Sequence, residues 1–269
     1  DSTSSRGLGD VYKRQLHITA LQIPLFWEAP ALNKKNIDEK LTKLHDTDIV
    51  LLPEMFTSGF TMNPSIVAES MDGPTIKWMK RWANNLDVAV GGSIVIEEDG
   101  AYLNRFVWVT PSGKHSFYDK HHTFTMAGED KVYHRGNGDG IIIFKGWKIC
   151  LRICYDLRFP VWSRNTQDYD LLIYVANWPK PRISAWDTLL KARAIENMSY
   201  VVGVNRCGED KKGNDYPGHS GIYDALGNCI SGDPSSGTKN ITAFIDYQEL
   251  QAHRKKLRFL EDRDNFDLC

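Results

Sequence analysis

Residues 171–205 read LLIYVANWPKPRISAWDTLLKARAIENMSYVVGVN, and this stretch decides the fold class. The run at 171–176 is apolar throughout, as a strand covered on both faces would be. Ile183, Trp186, Leu190 and Ala194 then recur at helical spacing along one side of a longer segment. Ser184 stands three residues before Asp187, the spacing of a capping box at the start of that helix. A further apolar strand follows at 200–205. Strand, helix and strand in succession make an α/β unit.

The alternation extends outward in both directions. Upstream, an alternating strand begins at Leu16, and Ile37, Leu41 and Leu44 stripe a charged helix before the apolar run 49–52. Ile76, Met79, Ala83 and Leu86 line a second helix, and 88–96 reads as a strand. Hairpin signals follow. The strand 102–110 turns at Pro-Ser-Gly into 115–118, and 141–144 turns at Lys-Gly into 147–153. A helix is expected after Pro160. Downstream, strands are expected at 219–223 and 241–245, and a helix at 248–257. Hairpins among the strand–helix units imply mixed sheets covered by helices, in one domain spanning 16–269. Residues 1–15 show no apolar periodicity and are read as a disordered or non-native extension.

Composition bounds the function. With 269 residues, 33 basic against 34 acidic side chains and 42% hydrophobic content, the chain has no basic excess to offer a nucleic acid. No apolar run approaches the roughly 18 residues of a membrane span, so no membrane partner is expected. Five scattered cysteines without a Cys-x-x-Cys pair suit a reducing, cytoplasmic setting and give no metal site. No Gly-x-Gly-x-x-Gly or Gly-x4-Gly-Lys-Ser/Thr motif is present, so no nucleotide cofactor is assigned.

Chemistry in α/β proteins gathers at the carboxyl ends of strands. Glu54 closes the apolar run 49–53, where partial desolvation suits a carboxylate to act as a base. Lys120 closes 115–118, placed to steady an oxyanion or a thiolate. Cys154 closes 147–153 at a strand-to-helix junction, as a nucleophile would. Cys150, mid-strand, is its packing control. Adjacent His121 and His122 offer a rival base, though on an extended segment at most one can face Cys154.

The segments Leu-Pro-Glu-Met-Phe (52–56), Tyr-Asp-Lys-His-His (118–122) and Arg-Ile-Cys-Tyr-Asp-Leu-Arg-Phe-Pro (152–160) resemble the nitrilase, or carbon–nitrogen hydrolase, superfamily, in its omega-amidase branch. Tyr-Val-Ala-Asn-Trp-Pro (174–179) and Ala-Arg-Ala-Ile-Glu-Asn (192–197) extend the resemblance to most of the chain from Leu16. It implies an αββα sandwich that associates as a homodimer. It also implies a catalytic set of Glu54, Lys120 and Cys154, a second glutamate at Glu129, and no cofactor. The implied activity is hydrolysis of short 2-oxo dicarboxylic monoamides, 2-oxoglutaramate and 2-oxosuccinamate, through a thioester. The Tyr155 N–H would share the oxyanion, Arg158 would hold the distal carboxylate unless it pairs with Asp156, and Asn177 and Trp178 would wall the pocket. Arg193 and Glu196 read as an internal ion pair. The alternatives are a hydrolase of another amide, N-carbamoyl or aliphatic, and a silent interaction module of the same fold.

Overall fold

In the computed structural model of the protein, residues 15–266 are described. Chain order runs β1 (Gln15–Gln22), α1 (Pro30–Leu41), β2 (Ile49–Leu51), α2 (Pro74–Leu86), β3 (Ala89–Glu98), β4 (Ala101–Val109) and β5 (His115–Asp119). It continues through β6 (Ile141–Phe144), β7 (Trp147–Ile153), β8 (Leu171–Ala176), α3 (Ile183–Asn197), β9 (Tyr200–Asn205), β10 (Cys207–Glu209), β11 (Asp215–Pro217), β12 (Gly221–Tyr223), β13 (Lys239–Asp246) and α4 (Tyr247–Leu257). One sheet has the order β13-β1-β2-β3-β4-β5, the other β12-β9-β8-β7-β6. Parallel pairs such as β7 with β8 and antiparallel pairs such as β3 with β4 occur in both, so the sheets are mixed.

Side-chain alternation explains the layering. Ile49, Leu51, Phe106 and Trp108 from one sheet meet Ile149, Leu151, Ile173 and Val202 from the other in a single buried core. The residues one out of phase, Val50, Val90 and Val107, face α1 and α2 instead. Cys150, Leu172, Tyr174 and Val201 face α3. A strand buried on both faces can only do this if each face has its own cover. The result is the expected αββα sandwich, and Cys150 is accounted for by packing against α3.

Several local expectations need correction. Gln15, assigned to the extension, begins β1, where its Nε2 donates to Asp246 Oδ2 at 2.7 Å across the β1–β13 pair. Residues 1–14 and the terminal Leu268 and Cys269 lie outside the described residues. After Pro160 there is only a 3-10 turn at Val161–Ser163, because Arg164 returns to extended geometry. The Ser184–Asp187 capping box does not form. Helix α3 already starts at Ile183 with Arg182 at its N-cap, and Asp187 pairs with His219 instead. The strand read at 219–223 begins at Gly221, since His219 sits at φ 58°.

Candidate active site

Each chemistry-bearing residue stands where a strand stops. Beyond β2 the chain passes through Leu52 and Pro53 to Glu54, then Met55 adopts φ 45° and donates its N–H to Ser93 Oγ at 2.9 Å. This turn lies so close to β3 that a Cβ at Gly92 would fall 2.9 Å from Leu52 Cβ, so only glycine admits it. Lys120 follows β5, and its N–H donates to Asn104 O of β4 at 3.0 Å. Cys154 follows β7 at φ 44°, a left-handed conformation rare outside glycine, and opens the 3-10 turn Cys154–Arg158. Asn177 follows β8.

These ends converge. Lys120 Nζ donates to Glu54 Oε1 at 2.9 Å and to both oxygens of Glu129 at 3.0 and 2.9 Å. All three side chains have no solvent exposure. The other Glu54 oxygen accepts from the Asn177 N–H at 2.8 Å, tying the two sheets together, while Asn177 Nδ2 donates to Glu54 O at 2.7 Å. Glu129 Oε2 also accepts from the Phe124 N–H at 2.5 Å. The Phe60 ring lies 5.2 Å from Lys120 Nζ.

Burial alone would discharge the lysine, but Glu129, Glu54 and Cys154 together raise its pKa above the ordinary value, so it stays an ammonium. Burial and the neighbouring Glu54 carboxylate push Glu129 up against the opposing pull of Lys120. The Cys154 thiol is pushed well above its ordinary pKa, chiefly by burial and next by Glu54, with Lys120 only partly offsetting them. The resting sulfur is therefore a neutral thiol, and attack requires a base to take its proton.

Asp156 locks the Cys154 turn to the lysine strand. Its Oδ2 accepts from the Ile153 N–H at 3.0 Å and the Tyr118 O–H at 2.8 Å. Its Oδ1 meets the His122 N–H at 3.0 Å and His122 Nδ1 at 2.9 Å. With these partners Asp156 does not pair with Arg158. His121 and His122 line a separate hollow with Phe159 and Trp162, and neither lines the cavity at Cys154, so the geometry offers no Cys–His pair. Arg193 and Glu196 do pair, at 3.1 Å, and Arg193 also donates to Leu157 O at 2.6 Å.

A cavity of about 230 Å³ opens over Cys154, and Tyr155, Arg158, Asn177 and Trp178 all line it. The Arg158 guanidinium lies 5.0 Å from the Trp178 ring and has no acid partner among the described residues. Trp178 is held by its N–H to Asn205 Oδ1 at 2.7 Å and by its Nε1 to Arg182 O at 2.8 Å. The sequence reading missed the short β10–β11 hairpin, which carries Asp210, Lys212, Asn214 and Tyr216 to the cavity rim. The turn-forming run Asp-Lys-Lys-Gly-Asn at 210–214 was its only signal. Also missed were Arg182, on the cavity wall, and Asn104, in contact with both glutamates.

A thiol beside a carboxylate pair and an ammonium, under a small cavity, is equipped for acyl transfer. The carbon-nitrogen hydrolase family matches residues 17–255. The chain belongs to that family. Among its carbon–nitrogen hydrolase relatives is omega-amidase YafV of Yersinia enterocolitica, 43% identical over 93% of this chain and 98% of its own length. A 2-oxoglutaramate amidase of Bacillus subtilis is 32% identical over 91% of this chain and 96% of its own. A solved CN-hydrolase superfamily protein of Xanthomonas campestris, described with an arsenic adduct in its active site, superposes with a TM-score of 0.92. It is 38% identical, covering 95% of this chain and 99% of its own. The resemblance read from the strand-end motifs is borne out.

Proposed function

We propose that the chain is a cysteine-dependent omega-amidase that hydrolyses 2-oxoglutaramate, 2-oxosuccinamate and similar monoamides to the acid and ammonia through a thioester. The observation that carries this reading is the buried Glu54–Lys120–Glu129 cluster beside Cys154 at the cavity. The omega-amidase and 2-oxoglutaramate amidase relatives support the substrate class.

Cys154 attacks the amide carbon while Glu54 takes the S–H proton, so a C–S bond forms and the carbonyl electron pair moves to oxygen. Glu54 Oε2 has room for that proton, since its side-chain contact from Asn177 Nδ2 is long at 3.3 Å. Lys120 and the Tyr155 N–H hold the oxyanion. Because Lys120 faces both oxygens of Glu129, one N–H spanning the pair leaves another for substrate. The electron pair returns, the C–N bond breaks, and Glu54 hands its proton to the departing nitrogen. Water then attacks the thioester as Glu54 accepts one of its protons and passes it to the leaving sulfur. Glu129 positions Lys120.

The distal carboxylate is assigned to Arg158, a guanidinium on the cavity wall with no acid partner among the described residues. Asn177 and Trp178 wall the pocket, and Asn177 also braces Glu54. We further infer one catalytic domain from residue 15 onward, acting as a cytoplasmic homodimer.

Incubation with 2-oxoglutaramate, succinamate, butyramide and an N-carbamoyl amino acid, followed by ammonia measurement, tests the reading. Fastest release from 2-oxoglutaramate is expected. Preference for the N-carbamoyl compound would reassign the substrate class, and silence on all four would refute an amidase.

A further inference from the structure

We propose that Asn104 is a positioning residue for the reaction, a neutral clamp that holds Glu54 and Glu129 side by side as two separate anions. The inference rests on the reading of Glu54 as the base and goes beyond it to how the base stays available.

Asn104 lies on β4 in phase with Phe106 and Trp108, so its side chain takes the inter-sheet side of the strand and is fully buried. Its Nδ2 donates to Glu54 Oε1 at 2.8 Å and to Glu129 Oε1 at 3.2 Å. Those same two oxygens accept from Lys120 Nζ. Two carboxylate oxygens are thus bridged twice, by an ammonium and by an amide. Close carboxylates lacking enough donors settle this conflict by binding a proton between them, which would remove the base. Lys120 supplies three N–H groups and the amide two more, so each facing oxygen has two donors.

The amide cannot turn round, because its orientation is fixed from a backbone group. The Met55 N–H can only donate, and it donates to Ser93 Oγ at 2.9 Å. Ser93 Oγ lies 2.8 Å from Asn104 Oδ1 and donates to it, which leaves Nδ2 for the carboxylates. Met55 is the residue after Glu54, so the chain of bonds begins and ends at the same turn. Lys120, Cys154 and Tyr133 are the other titratable groups that sense this pair, together with the backbone N–H groups of Phe124 and Asn177. Asn104 does not line the cavity, so it acts through the glutamates and not on substrate.

The test is the pH profile of kcat and kcat/KM for Asn104→Leu and Ser93→Ala, on whichever amide the wild type hydrolyses best. Both variants are also titrated by infrared spectroscopy with 13C-labelled glutamate, which needs no substrate. Removing a donor to an anion favours its protonated form. The acid limb of Asn104→Leu should therefore move up by about one pH unit, with kcat at neutral pH down about tenfold or more and KM nearly unchanged. The protonated-carboxyl band should persist to correspondingly higher pH. Ser93→Ala, which touches neither carboxylate, should move both readouts the same way by less. Superimposable pH profiles and infrared titrations, with any rate loss explained by the unfolded fraction, would overturn the proposal. If the wild type hydrolyses none of the amides tried, the functional reading fails, and the infrared shift still decides the role of Asn104.

Discussion

Replacing Asp156 by Asn removes one charge from a fully buried carboxylate and leaves its shape intact. Four hydrogen-bonding groups converge on it: the N–H groups of Ile153 and His122, the Tyr118 hydroxyl and His122 Nδ1. Tyr118 Oη already lies within reach of the His121 N–H at 3.3 Å and the Trp162 Nε1–H at 2.8 Å, so its own proton goes to Asp156. An amide NH2 at the Oδ2 position would orphan two donors. At the Oδ1 position it orphans only the His122 N–H, because the imidazole nitrogen can accept. That better arrangement loses about 1–3 kcal/mol for the orphan and roughly 1 kcal/mol for each of the other bonds that turns from charged to neutral. A neutral amide is easier to bury, which offsets part of this, and about 3–5 kcal/mol of net destabilisation is expected. In Tm that is about 6–20 °C.

The pH dependence gives this loss a sign. Burial would raise the Asp156 pKa, but the His122 and Ile153 bonds and the Arg152 charge outweigh it and hold the carboxyl below its ordinary value. A depressed carboxylate supplies stability that is full above about pH 4 and is lost as pH falls through its folded value. Urea unfolding of wild type and Asp156→Asn should therefore show the widest gap at pH 7 and a narrowing gap below about pH 4. A difference under about 1 kcal/mol at pH 7, or a gap that widens in acid, would refute this account of the Cys154 turn.

Cys154→Ala should abolish ammonia release with the fold retained by circular dichroism, whereas Cys150→Ala, which sits against α3, should keep its chemistry and lose only stability. Glu54→Gln should lower kcat by roughly 10² or more, and near-normal turnover would remove Glu54 from the base role. Arg158→Met should lower kcat/KM for 2-oxoglutaramate about 10- to 150-fold, with Arg158→Lys intermediate and butyramide hydrolysis scarcely changed. Equal losses on both substrates would show that the carboxylate has another anchor. Light scattering at micromolar concentration should give a dimer mass, and a monomer mass would refute the assembly.

The sandwich was legible in the chain because burial on a strand has period two. Ile49 and Leu51 against Val50, or Ile149 and Leu151 against Cys150, need two different covers, which patterning predicts as sheets covered by helices, while the αββα order itself came from the family resemblance. Two of the strand ends were legible for the same reason, since Glu54 and Cys154 are polar where an apolar run stops, whereas Lys120 follows the largely exposed strand His115–Asp119 and was read from its place at a strand end. What sequence alone left undecided was every interaction between distant strand ends, within one sheet or across the sandwich. Asn177 reaches Glu54 across 123 positions, Lys120 reaches Glu54 across 66 and Asn104 across 50. No local spacing encodes such contacts, because the Lys120 and Asn104 contacts depend on strand order within one sheet and the Asn177 contact on how two sheets register face to face. The same holds where local chemistry was overruled. Ser184 and Asp187 have the spacing of a capping box, yet Asp187 lies beside His219, a partner 32 residues away that the packing of α3 brings within 3.0 Å. Asn104 was the residue most open to discovery, a polar side chain in phase with the core residues Phe106 and Trp108 of its strand. Its meaning appears only when packing brings two carboxylates to the same amide.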